Sequence, residues 1–226
     1  MQFIYLLLAL ALINQPSIEY SSMERSVFDV KTSEIDSSMY YTILPYKQQL
    51  DSQMNEVLCY ASTDFTKGKP ESILGNWTSD ACLEIAQELT DVFDIDISFF
   101  NTGGLRSSLS KGNITKRDIF KLMPFENELV VLELSKDEFM SLKNYFVQTE
   151  GQPIAFSDNF SIEDSVFQVL TTDYLANGGD KMSFFNNKIQ HKVGIKMRDA
   201  LINYCVENDT ISSTLDSRHL ILFNDN

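Results

Sequence analysis

Three short stretches hold the residues that could do chemistry. Asn101-Thr102-Gly103-Gly104-Leu105-Arg106 stands just past a β-rich run, Asp96–Phe100. Glycines there let backbone N–H groups approach a ligand, Asn supplies directed donors, and the planar fork of Arg suits phosphate or vicinal hydroxyls. Pro124-Phe125 sets an aromatic ring behind a residue of fixed φ. Asp173-Tyr174-Leu175-Ala176-Asn177-Gly178-Gly179-Asp180 offers an aromatic and a carboxylate around a Gly-Gly bend. Taken singly, each stretch has a plainer reading: a turn after a strand, a core phenylalanine, a helix end with its turn.

Composition narrows the chemistry. The chain has 226 residues, 43% hydrophobic and 12% aromatic, which is enough for a substantial core and too apolar for disorder. Its net charge of −14 repels polyphosphate backbones, which argues against nonspecific DNA or RNA binding. An anionic ligand would need a local cluster of cations and backbone N–H groups. The two histidines, His191 and His219, show no ligand spacing. A dinuclear metal hydrolase normally uses several His with Asp and Asn, so no catalytic residue and no metal ligand is assigned here. Cys59, Cys82 and Cys205 are widely spaced and odd in number, and read as buried apolar residues with at most one bridge.

The elements that must position these groups follow from periodicity. Val57–Ser62 reads as a strand, and Thr63–Pro70 as a loop containing Lys67 and Lys69. Ala81, Ile85, Leu89 and Val92 fall on one helical face, which predicts a helix over about 77–92. Thr115 caps a short helix, Lys116–Met123, that Pro124 stops. Glu128–Leu134 is a strand, and Ser135 with Glu138 forms a capping-box pattern ahead of a helix lined by Phe139, Leu142 and Phe146. Val166–Thr172 is a strand, Gly194–Glu207 a helix, and Leu220–Phe223 a closing strand. The sum is a mixed α/β (α+β) domain, with two sheets and packed helices as one option.

Phe3–Ile13 is an unbroken uncharged apolar run, too short for a bilayer span of about 20 residues, and fits the core of a signal peptide. The organisation expected is a signal peptide over 1–19, a polar irregular arm over 20–55, and one domain over 56–226. The protein would then be exported, to a periplasmic or extracellular space, with no stable membrane span.

In this order the motifs closely resemble the C-terminal, substrate-binding domain of the 5′-nucleotidase/UDP-sugar hydrolase family. That family's pattern runs NGGGIR, a G-x-I-T step, a short helix, PF and a V-V-x-x-L strand. The counterparts are Asn101–Arg106, Gly112-Asn113-Ile114-Thr115, Pro124-Phe125 and Val130–Leu134. Tyr174–Asp180 is similar to the family's FLANGGDG element, and Leu74-Gly75-Asn76 to its E-x-N-L-G-N start. The likeness covers roughly residues 57–223. Departures are Thr102 for the first Gly, Tyr174 for Phe, Lys181 for the Gly after the final Asp, and Ser72 and Ile73 where the family has T-N. The family's N-terminal metallophosphatase domain, with its D-x-H, G-N-H-D and G-H motifs, has no counterpart.

The resemblance implies a nucleotide-binding role in nucleotide catabolism. Phe125 and Tyr174 would sandwich the base, Asp180 would accept from the ribose hydroxyls, and Asn101 and Arg106 would reach towards ribose and phosphate. Gly103, Gly104, Gly178 and Gly179 would shape the backbone around the ligand. No cofactor would bind this chain; a divalent metal pair would sit on a separate metallophosphatase polypeptide, making this the recognition half of a split 5′-nucleotidase-type hydrolase. The alternatives are a free-standing nucleotide- or nucleoside-binding protein and a degenerate interaction module.

Overall fold

The computed structural model describes residues 37–90 and 93–223, and the expected signal peptide lies outside them. Contacts divide the chain after Pro45. Helix α1 (Ser37–Met54) contributes the described residues of the first unit, and its second half opens the next. Half of the stretch expected to be irregular is therefore helical. Its sequence hides this, because Pro45 sits inside the helix and Met39, Tyr40, Tyr41 and Tyr46 all stay exposed, leaving no buried stripe to read.

Among the described residues the fold is mixed α/β, with two mixed sheets and seven α-helices. The larger sheet orders its strands β5 (Ile154–Phe156), β2 (Ile97–Phe99), β6 (Val166–Thr172), β4 (Glu128–Ser135), β7 (His191–Lys196). Strands β4 and β6 pair antiparallel over their full length, from Leu129 opposite Thr172 to Ser135 opposite Val166. Strand β6 runs parallel to β2, which pairs antiparallel with β5. In the smaller sheet β1 (Val57–Ala61) lies between β3 (Gly112–Thr115) and β8 (Thr210–Ile211), antiparallel to the first and parallel to the second.

The near-continuous apolar run of β4 has a simple cause: both its faces are buried. Leu129 and Val131 enter one core with Trp77, Cys82 and Ile85 of α2 (Ile73–Leu89), Ile119 of α3 (Lys116–Leu122) and Leu201 of α6 (Met197–Glu207). Val130, Leu132 and Leu134 enter a second core with Phe139, Leu142 and Phe146 of α4 (Lys136–Gln148). Each such buried side chain contributes about 1.5–3 kcal/mol, so a central strand facing two cores anchors everything hung from its ends. The three cysteines are buried free thiols, in keeping with an apolar role.

Local rules set the element starts. The Ser72 hydroxyl accepts from the Gly75 N–H at 3.0 Å, so α2 begins four residues earlier than its apolar face suggests; it ends at Leu89, and Val92 lies outside the described residues. The Asp118 carboxylate accepts from the N–H (3.0 Å) and hydroxyl (2.6 Å) of Thr115 at the start of α3. Glu138 accepts from the Ser135 N–H at 2.8 Å, completing the box ahead of α4.

Two expectations are corrected. The segment beginning at Gly194 is not helical until Met197; His191–Lys196 is strand β7, paired to β4. The signal was present, since Val193 and Ile195 alternate and both pack on the first core. Leu220–Phe223 is a single helical turn, α7, not a strand. Its Leu222 is buried and its Phe223 ring meets Phe146 of α4 at 5.5 Å between centroids, so it closes on a helix rather than a sheet edge. No helix among the described residues is long and apolar enough to cross a membrane.

Candidate functional site

The C-terminal ends of β2 and β6 lie side by side, β2 leading into a glycine-bearing turn and β6 into a short helix that ends in one. Past β2, Asn101 leads a 3-10 turn, Thr102–Gly104, closed by the Gly104 N–H on the Asn101 carbonyl at 3.1 Å. Past β6, Thr172 caps the short helix α5 (Asp173–Ala176). The chain then reverses at Gly178, whose φ of +84° suits a residue without Cβ. A Cβ on Gly179 would come within 2.5 Å of Cε1 of Tyr174, so the missing side chain is what lets the ring lie across the turn.

Between these turns is a cavity of about 280 Å³, lined by Asn101, Gly103, Gly104, Arg106, Phe125, Asn127, Tyr174 and Asp180. Seven of the nine residues singled out by sequence thus meet on its walls. The other two, Gly178 and Gly179, stand behind the wall, shaping the turn that carries Asp180 and Tyr174. Phe125 is 39% and Tyr174 48% exposed. Two half-exposed rings in one cavity can take a flat ligand.

Asp180 is the most constrained group there. Its Oδ2 accepts from Asn101 Nδ2 at 2.5 Å and its Oδ1 from the Tyr174 hydroxyl at 3.0 Å. Its carbonyl accepts from the Tyr145 hydroxyl at 3.0 Å, and its backbone sits in the left-handed region at φ +51°. Burial, then the Asp180 charge, pushes the Tyr145 phenol above its usual range, so it remains a proton donor at neutral pH.

Arg106 is the cation of the cavity wall. Its Nη1 donates to the Gly103 carbonyl at 3.3 Å, and its guanidinium carbon lies 5.9 Å from the centre of the Phe125 ring. The loop behind Phe125 is tied down by Glu126, which pairs with Lys196 and Arg198. Hydrogen bonds from Lys196 first, then Arg198, hold the Glu126 carboxyl down at about 2. Thr102 does not line this cavity: its N–H and hydroxyl donate to Gln152 Oε1 at 2.8 and 3.1 Å.

Sequence reasoning missed three contributors. Asn127 lines the cavity, and its carbonyl accepts from the Met197 N–H at 2.9 Å; its place two residues past Phe125 was the available signal. Tyr145 and Gln152 reach the site from α4 and the loop after it, and nothing local marks them.

The family model for the 5′-nucleotidase C-terminal domain matches residues 54–142. Over these residues the chain is similar to the C-terminal domain of 5′-nucleotidases. An apyrase from Tabanus yao is 25% identical over 190 residues, covering 66% of this chain and 34% of its own. A cell wall protein from Listeria monocytogenes is 25% identical over 181 residues, covering 62% of this chain and 23% of its own. The chain thus spans about a third or less of these relatives' length. The solved structure of a 5′-nucleotidase precursor from Thermus thermophilus shares the fold, with a TM-score of 0.65, 21% identity, and coverage of 79% of this chain and 42% of that one. The match to this family model supports a nucleotidase-related role for the matched region.

Among the described residues no group of three or more His, Cys, Asp or Glu is placed to hold a metal ion. The carboxylate that lines the cavity, Asp180, is already engaged by two donors.

Proposed function

We propose that this chain, similar over residues 54–142 to the 5′-nucleotidase C-terminal domain, recognises the nucleoside part of a nucleotide. The observation that carries this is the pairing of two half-exposed rings, Phe125 and Tyr174, with a carboxylate that still has acceptor positions to give. The rings would sandwich the base, a contact contributing about 1–3 kcal/mol per base without selecting among bases. Asp180 would accept from ribose hydroxyls. Asn101 and Arg106 would reach towards ribose and phosphate, Arg106 supplying the local cation that a chain of net charge −14 needs. The cavity, about 280 Å³, falls just below the range of about 300–1,000 Å³ for small-molecule sites.

Phosphate-ester hydrolysis would be the work of a separate metallophosphatase unit carrying the divalent metal pair. This chain binds, orients and shields the nucleoside while that unit acts on the phosphate. Export is part of the same reading, supported by the apolar run Phe3–Ile13 and by the likeness to a cell wall protein. The test is direct. The purified chain with manganese, cobalt or zinc should bind AMP and release no phosphate from it above background. Metal-dependent turnover by homogeneous protein, abolished by chelator, would overturn the division of labour. A chain that binds neither adenosine nor AMP would overturn the recognition itself.

A further inference from the structure

Tyr174 offers the cavity more than a ring face, because its hydroxyl is spent on the neighbouring carboxylate. An ionised carboxylate has about four acceptor positions, two on each oxygen. In Asp180 one position on Oδ1 is taken by Tyr174 and one on Oδ2 by Asn101. One position remains on each oxygen. The two donors come from different turns, after β6 and after β2, so the carboxylate plane is fixed from both sides. Its backbone is fixed too: the Tyr145 hydroxyl holds the Asp180 carbonyl at 3.0 Å while the residue stays at φ +51°. Tyr174 has little freedom of its own, since its ring edge lies where a Cβ on Gly179 would be.

We propose that Tyr174 is a specificity-determining residue: with Asn101, its hydroxyl clamps the Asp180 carboxylate so that one acceptor position per oxygen is left, a pair that suits two hydroxyls on adjacent carbons. The ligand class it selects is a nucleoside with an intact cis-diol, over forms with one hydroxyl. This rests on the nucleoside reading above and adds the part that a plain aromatic ring could not supply. A carboxylate free to rotate can meet a single hydroxyl as well as it meets a pair. A clamped one serves both hydroxyls of a diol at once and leaves half its capacity unused when one is missing.

Tyr174→Phe keeps the stacking face and removes only the hydroxyl. Calorimetric titration of the full chain with adenosine, 2′-deoxyadenosine and 3′-deoxyadenosine reads the effect, with melting temperatures taken in parallel. Wild type should prefer adenosine to both deoxy forms by about 10-fold. The variant should lose roughly 3- to 10-fold in adenosine affinity and less than about twofold for the deoxy forms, so the preference collapses. Its melting temperature should not move, because the ring is half exposed. An unchanged preference, or tighter adenosine binding by the variant, overturns the clamp and leaves the nucleoside reading standing. Wild type that binds all three equally overturns it without any variant. Wild type that binds none of the three overturns both readings.

Discussion

Two hydrogen-bonded clusters in this protein are built from similar parts and do different things. One lines the cavity: Asn101, Tyr174 and Asp180. The other fastens the C-terminal segment: Glu71, Asn76, Asp80, Asp216, Arg218 and His219. In the second, Arg218 has five N–H donors and uses all of them. Nη1 donates to Asp80 Oδ1 (2.6 Å) and the Ile154 carbonyl (3.2 Å), Nη2 to Asp80 Oδ2 (3.0 Å) and Asp216 Oδ2 (2.7 Å), and Nε to Asp216. Glu71 takes three donors, Asn76 Nδ2 at 2.6 Å, the Asp216 N–H at 2.9 Å and His219 Nδ1 at 2.7 Å. A cluster whose central arginine spends all its donors and is only 14% exposed is a fastening. Asp180 takes two side-chain donors and lines the cavity, and in the function proposed above it is a recognition group. One cluster surrounds a largely buried arginine and the other borders a cavity, and that placement separates them.

The comparison breaks most visibly at Arg218. Arg218→Ala should cost about 1–3 kcal/mol, between exposed and buried ion pairs, because Arg218 is largely buried while Asp80 and Asp216 are 43% and 46% exposed. In a domain of this size that lowers the melting temperature by roughly 2–12 °C. Nucleoside affinity measured well below the melt should be nearly unchanged. A variant that melts normally but binds poorly would reverse the roles of the two clusters.

At the cavity the expected pattern is the opposite. Phe125→Ala or Tyr174→Ala should weaken adenosine or AMP binding by about 1–3 kcal/mol, roughly 5- to 150-fold. Stability should fall less than the ~3–5 kcal/mol typical of a buried Phe→Ala, because both rings are partly exposed. Equal adenosine affinity in wild type and both folded variants would remove the sandwich.

Asp180→Asn gives a smaller and more selective effect. It should weaken ribonucleosides by about 1–2 kcal/mol and leave 2′,3′-dideoxy analogues nearly untouched, since only the former present hydroxyls to the lost charge. A uniform loss across both classes would make Asp180 a structural residue of its turn.

The smallest effect is a pH dependence of the fastening. Hydrogen bonding from Arg218 holds the Asp216 carboxyl at about 2. A carboxylate held below its unfolded value of ~3.9 adds stability that is present above that value and is lost as pH falls towards about 2. Burial pushes Asp80 the other way against Arg218, so only the difference between wild type and Asp216→Asn isolates Asp216. Melting curves from about pH 5 down to about pH 2 should show wild type losing stability more steeply than that variant. Parallel curves would mean that the pair adds nothing to stability.

Much of the fold could be read from local rules. Strand β6, the cap at Ser135 and the start of α3 at Thr115 fall where residue type alone puts them, because capping and period-2 patterning act over a few residues. The short strands β3, β5 and β8 could not be read that way. They have two to four residues each, and what makes them strands is a partner far along the chain: β8 pairs with β1 across about 150 positions. Helix α1 escaped for the opposite reason, since it has no buried stripe.

For the site, the sequence by itself determined which groups are available: two aromatics beside Pro and Gly, one carboxylate after a Gly-Gly bend, and one Arg after a glycine turn. Residue chemistry and backbone freedom are local, so they survive without a structure. Only the tertiary structure decided how those groups are spent. That Tyr174 and Asn101 each take one oxygen of Asp180, that Tyr145 holds its carbonyl, and that Thr102 turns to Gln152 all depend on strands β2 and β6 lying side by side, with α4 reaching the turn that follows β6. Hydrogen bonds are directional and short, and segments up to 79 positions apart reach that geometry only once both cores have packed.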